Sequence, residues 1–169
     1  MTLGFCDAKP KYIYIGGETC WYFWGDGKAE PIKHNGLTCR IISIDLVDRE
    51  YKNETNTKLI ITVEADGQYK LQAGMSTWFS KSILPRLMQL SPEDFRHPLT
   101  ISVKEGSEQN IVFASLQKAN KDYVLKPEDF DYKSYENEST IIEHVAELQK
   151  KINESFRISP EPDPESMPF

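Results

Sequence analysis

A chain of 169 residues and 19.5 kDa is too short for a (β/α)8 barrel or a two-domain dehydrogenase. Hydrophobic residues make up 39% of it and charged residues 27%, enough apolar material for one core. The net charge of −6 is unevenly spread: residues 1–126 hold 16 Lys/Arg and 15 Asp/Glu, residues 127–169 only 4 against 11, so a near-neutral body carries an acidic end of the kind used for interactions.

The stretch up to Lys11 has no apolar leader, and the longest apolar runs, such as Leu59-Ile60-Ile61, are far below a membrane span. Residues 11–24 read as strand, with Tyr12-Ile13-Tyr14-Ile15, two glycines, then Cys20-Trp21-Tyr22-Phe23-Trp24. Gly25-Asp26-Gly27 and Asn35-Gly36 are turn signals. Arg40 to Val47 is a β-branched run in which Ile42, Ile44 and Leu46 alternate with Ser43 and Asp45. Residues 48–56 are polar and loop-like. Leu59, Ile61 and Val63 then share one face of a strand, and Asp66-Gly67 is a hairpin signal leading into Tyr69–Ala73.

Between 77 and 90 the period changes. Trp78, Phe79, Ile83, Leu84, Leu87 and Leu90 fit helical spacing, with Pro85 predicting a kink or two short pieces. Ser91-Pro92-Glu93-Asp94 has the form of a helix start. Two alternating strands follow, Leu99-Ile101-Val103 and 111–116, with Gly106 in the turn. Residues 37–118 therefore run strand, strand, strand, helix, strand, strand. That order predicts an all-β fold with minor α: a five-stranded OB-type Greek-key barrel, with extra N-terminal aromatic strands and a C-terminal helix. A small all-β sandwich with one helix fits the same order.

Residues 119–138 are polar and extended. Over 140–156 a helix is predicted: Thr140 and Glu143 have capping-box spacing, and Ile141, Val145, Leu148 and Ile152 form a stripe. The stripe suits packing on the chain's own barrel or pairing between subunits of a homo-oligomer. From Ile158 on, three Pro-acid pairs oppose helix and strand. The expected division is 1–118 as the barrel with its N-terminal extension, 119–157 as the extended segment and helix, and 158–169 as an acidic tip.

The sequence has no Gly-rich phosphate loop of either common kind. His34, His97 and His144 fall in three different elements, and Cys6, Cys20 and Cys39 have neither zinc nor redox spacing. Free thiols suit a reducing cytoplasm. The reading is a cytoplasmic binding protein with no enzymatic constellation, no cofactor, no metal and no membrane contact.

The most specific feature is the end, where Asp163 and Glu165 precede Met167-Pro168-Phe169. Phe169 supplies a ring for a pocket and an α-carboxylate for a basic rim, and the acids attract a basic surface at longer range. This end resembles the tip of bacterial and phage single-stranded DNA-binding proteins, which finish in an acidic stretch, a hydrophobic residue, Pro and Phe. The resemblance implies an OB body that binds single-stranded DNA in replication, repair and recombination, and a tip that recruits replication and repair proteins through Asp163, Glu165, Met167, Pro168 and Phe169.

A single-strand binder needs rings for base stacking and cations for phosphates. With Leu59, Ile61 and Val63 inward, Lys58, Ile60 and Thr62 face outward, as do Lys70 and Gln72 if Leu71 and Ala73 are core. Arg40, Arg49, Tyr51 and Lys52 lie on or beside the first barrel strand, and Lys104 lies on the fourth. Trp21, Tyr22, Phe23 and Trp24 alternate, so one pair faces the core and the other solvent. Trp78 and Phe79 are a further pair. The charge split predicts that the acidic end competes with DNA. An OB-type adaptor that binds protein and no nucleic acid is the alternative.

Overall fold

The computed structural model describes residues 9–108 and 110–157. The acidic tip with Asp163, Glu165, Met167, Pro168 and Phe169 lies outside the described residues. The described chain is mostly β: strands β1 (Lys11–Ile15), β2 (Trp21–Gly25), β3 (Lys28–Pro31), β4 (Gly36–Tyr51), β5 (Glu54–Glu64), β6 (Gln68–Gly74), β7 (Leu99–Glu105) and β8 (Val112–Gln117), with helices α1 (Trp78–Leu87) and α2 (Glu138–Ser155). The strands form one curled mixed sheet in the order β3-β2-β1-β6-β5-β4-β7-β8.

The predicted order of three strands, helix and two strands is present in β4 to β8. Strand β4 pairs with β7 over Gly36–Cys39 and with β5 over Arg40–Tyr51, so one long strand serves both halves of the sheet. Among the described residues, β6 and β8 do not pair. Parallel β1 takes the edge of β6, and α1 covers β8, where Ser82 Oγ accepts the Ala114 N–H at 2.8 Å. The sheet is thus an open half-barrel of eight strands, not a closed five-stranded ring.

A bulge between Ile41 and Ser43 sets the faces of β4. Cys39, Ile41 and Ile44 are buried, and Ile42 is the added residue left half-buried. Strict alternation of Ile42, Ile44 and Leu46 therefore fails at one position, because a bulge places two residues opposite one and changes the parity. The expected loop over 48–56 is instead a hairpin arm. Strand β4 runs to Tyr51, β5 begins at Glu54, and both turn residues, Lys52 (φ 50°) and Asn53 (φ 65°), have positive φ. That geometry matches the right-handed twist of two-residue hairpins. Asp26 (φ 52°) and Gly27 (φ 74°) make the same turn between β2 and β3.

Helix α1 is continuous through Pro85, near its C-terminal end, and Ser91–Asp94 opens only a 3-10 turn, Asp94–Arg96. The Asp94 carboxylate accepts the Ser91 N–H at 2.9 Å, and Pro98 lies two residues beyond the turn. Helix α2 begins earlier than expected because Asn137 caps it, accepting the Ser139 N–H at 3.1 Å. Its stripe of Ile141, Val145, Leu148 and Ile152 is buried in the chain's own core with Ile41, Ile44, Ile61, Leu84 and Leu116. Each such side chain contributes about 1.5–3 kcal/mol by leaving water. Beyond Cys39, β4 has no β7 partner, and there Gln149 Nε2 donates to the Ile44 carbonyl at 2.9 Å and to Asp45 Oδ1 at 3.2 Å.

Candidate nucleic-acid interface

Period-two spacing puts Tyr12 and Tyr14 on one face of β1. The β1–β2 register sets Tyr22 opposite Tyr14, and the β1–β6 register sets Gln72 beside Tyr14 and Lys70 beside Tyr12. The three tyrosines form a ladder on the face away from the core: Tyr12 and Tyr14 have ring centroids 6.0 Å apart at 19°, Tyr14 and Tyr22 5.7 Å apart at 27°. Continuing across β5, Ile60 and Thr62 share this face with Gln72 and Lys70 but are buried, flanked on the other side by Asp45 and Ser43. They face as expected, yet give solvent nothing.

The hairpin arm of β4 and β5 curls over this face. Arg49 Nη2 reaches Tyr12 and donates to its hydroxyl at 3.3 Å. Between arm and ladder is a groove of about 510 Å³ lined by Tyr12, Tyr14, Arg49, Tyr51, Lys58 and Gln72, with Glu50 also on its wall. A second depression of about 440 Å³ continues past Tyr12 and Tyr14 to Lys11, Phe23 and Trp24. The freest rings lie at the two sides, Trp24 at 59% and Tyr51 at 69% exposure. Among the described residues, Arg49, Lys58 and Lys70 are in no ion pair.

The expected site residues divide into three groups. Tyr22, Trp24, Arg49, Tyr51, Lys58 and Lys70 come together on the ladder face, and Lys52 stands at the arm tip with its ammonium 5.3 Å from the Tyr51 ring centre. Trp78 and Lys104 lie elsewhere, around the start of α1 and on β7. Trp21, Phe79 and Arg40 offer no open contact. Trp21 and Phe79 are each 1% exposed, and the Trp21 indole N–H donates to the His34 carbonyl at 2.7 Å. Phe23, the inward partner of Trp21, is half-buried against Tyr69 at 6.1 Å. Arg40 stacks 4.6 Å from the Phe156 ring centre, with its Nε buried and unpartnered. The alternation in β2 therefore holds, with Trp21 and Phe23 inward and Tyr22 and Trp24 outward.

Sequence reasoning placed Gln72 on the outward face but did not single out Tyr12 or Tyr14 as site residues. The signal was present in the Tyr-x-Tyr spacing of β1, but its meaning needed the β2 register that brings Tyr22 alongside. Among the described residues no three His, Cys, Asp or Glu side chains are placed to hold a metal ion. Burial pushes the Cys39 thiol up to about 12, so it stays protonated and behaves as a small core group. No helix among the described residues is long and apolar enough to cross a membrane. The chain matches no known family model, and neither a curated protein nor a solved structure is detectably similar to it.

Proposed function

We propose that this protein binds single-stranded DNA along the ladder face without strong sequence preference, as a divergent OB-type binder. The observation that carries the reading is the tyrosine ladder roofed by Arg49, with Lys58 and Lys70 beside it in no ion pair among the described residues. Rings accept any base, because every base has a π-face, and guanidinium and ammonium groups accept the phosphates between them. The strand order β6-β5-β4-β7-β8 is that of an opened OB barrel, which supports the same reading. The tip Asp163, Glu165, Met167, Pro168 and Phe169 then recruits replication or repair proteins in the cytoplasm, leaving the groove to DNA.

The test is a tryptophan-fluorescence titration with oligo-dT at low and high salt. Saturable quenching that weakens with salt is expected. Three phosphate contacts, by Arg49, Lys58 and Lys70, give a log–log slope of about −2 for single strands. Deleting residues 158–169 should tighten binding at low salt if the acidic end competes. No binding at low salt, with or without those residues, overturns the reading in favour of a protein-binding adaptor.

A further inference from the structure

A second set of exposed rings lies away from the ladder. Trp78, at the start of α1, is 39% exposed and Phe113, on β8, is 37% exposed, with centroids 5.7 Å apart. Tyr132 meets the Trp78 ring edge-on at 5.8 Å. Phe130 and Tyr135 support this group from behind, Phe130 contacting Tyr132 at 5.5 Å and the buried Tyr135 at 4.8 Å. The Tyr135 hydroxyl is fixed in turn by His144 Nδ1 at 2.6 Å. The exposed rings are therefore held in place by packed neighbours.

Three lysines surround the rings. Lys126 Nζ sits 4.2 Å from the Tyr132 ring centre, and Lys81 Nζ 5.1 Å from that of Trp78. Lys104 is the cross-strand partner of Phe113, on the same face. Among the described residues none of the three is in an ion pair. The nearby Asp131 carboxylate is turned into its own loop, where it accepts the Lys133 N–H at 2.9 Å. Ring faces with unneutralised ammonium groups suit a ligand that is both flat and anionic, which is the chemistry of a nucleotide chain.

Strand β6 contributes to the surroundings of both ring clusters, through Gln72 and Gly74, two residues apart. Gln72 lines the tyrosine groove, and Gly74 and Thr77 line a smaller hollow of about 190 Å³ that ends on Trp78. Gly74 lets the chain pass close to Thr77, since a Cβ there would stand 2.9 Å from Thr77 Cγ2. We infer that Trp78, Phe113 and Tyr132, with Lys81, Lys104 and Lys126, form a second stacking subsite for the same DNA strand, entered from the tyrosine groove by way of Gly74 and Thr77. The inference rests on the ladder face being the first subsite.

The experiment uses the full chain and oligo-dT of two lengths, about 4 and about 16 nucleotides, the span of site sizes for one such fold. Trp21 is buried, so W78F leaves Trp24 as the exposed reporter and W24F leaves Trp78. The short oligomer should quench Trp24 alone, and the long one both. The pair W78A/F113A should weaken binding of the long oligomer about 5- to 150-fold and leave the short one unchanged. Circular dichroism checks that this variant is folded, and W78F with F113L, which keep apolar bulk, give a milder second series. If the long oligomer quenches Trp24, leaves Trp78 unaltered and binds W78A/F113A as tightly as the parent, the subsite is overturned while the ladder reading stands, and the patch becomes a protein-facing surface. If neither oligomer binds, both readings fall.

Discussion

Strands β1 and β2 carry two aromatic sets that differ only in parity. Trp21 and Phe23 point inward with Ile13, and Trp21 is sealed at 1% exposure with its one donor satisfied by the His34 carbonyl. Tyr22 and Trp24 point outward with Tyr12 and Tyr14, and the three tyrosines form a half-buried ladder that the β4–β5 arm meets at Tyr12. The inward set stabilises the fold through burial. The outward set places rings with a polar handle, the three tyrosine hydroxyls and the Trp24 indole N–H, towards the surface, where that handle can meet water. A single strand can thus carry both the core and the site, and composition alone does not distinguish them.

Substitutions can break this contrast. The largest effect is expected at Trp21: Trp21→Ala should cost about 3–5 kcal/mol through the cavity it leaves, read as a lower urea midpoint. Tyr14→Ala should leave that midpoint nearly unmoved and weaken oligo-dT binding by about 1–3 kcal/mol. A Tyr14 variant that unfolds as readily as the Trp21 variant would show that the ladder is structural. Arg49→Ala sharpens the outward side further, making the salt slope shallower by about 0.7 with little change in stability.

The smallest effect near neutrality belongs to Cys39 on the inward side. Its thiol rises from 9.0 to about 12 by burial, so the folded state holds its proton more tightly than the unfolded chain. That contribution is complete below about pH 9 and is lost as pH climbs towards 12. Alkaline unfolding should therefore release a thiol that alkylating reagents do not reach at pH 8, and Cys39→Ala should flatten the alkaline limb.

How far the sequence predicts this structure depends on the physics of each segment. The period-two runs of β1, β2, β6, β7 and β8 were legible because one face of each is buried, and the stripe of α2 was legible for the same reason. The arm Asp48–Thr57 was not, because it is polar on both faces and is held by its backbone ladder and the Lys52-Asn53 turn. The bulge at Ile42 was not, because one added residue changes parity without changing composition. The short, fully exposed β3 gave no signal at all. Of the candidate site, Arg49, Lys58 and Lys70 were legible as cations of one face, and residues 21–24 as an alternating set, though not which pair faces out. The ladder itself depends on a pairing between strands, and Arg40 lost its place to Phe156, a partner 116 positions away in sequence.

The contact of Gln149 with Ile44 has a consequence for how copies of this protein meet one another. Where β4 parts from β7, no further strand of the described residues pairs with its edge. The Gln149 amide occupies the Ile44 carbonyl as a borrowed peptide group would. Further along the same edge, Asp48, Arg49 and Glu50 place charge where an incoming strand would have to desolvate it. At high local concentration the copies can stand side by side without knitting into a continuous β-sheet.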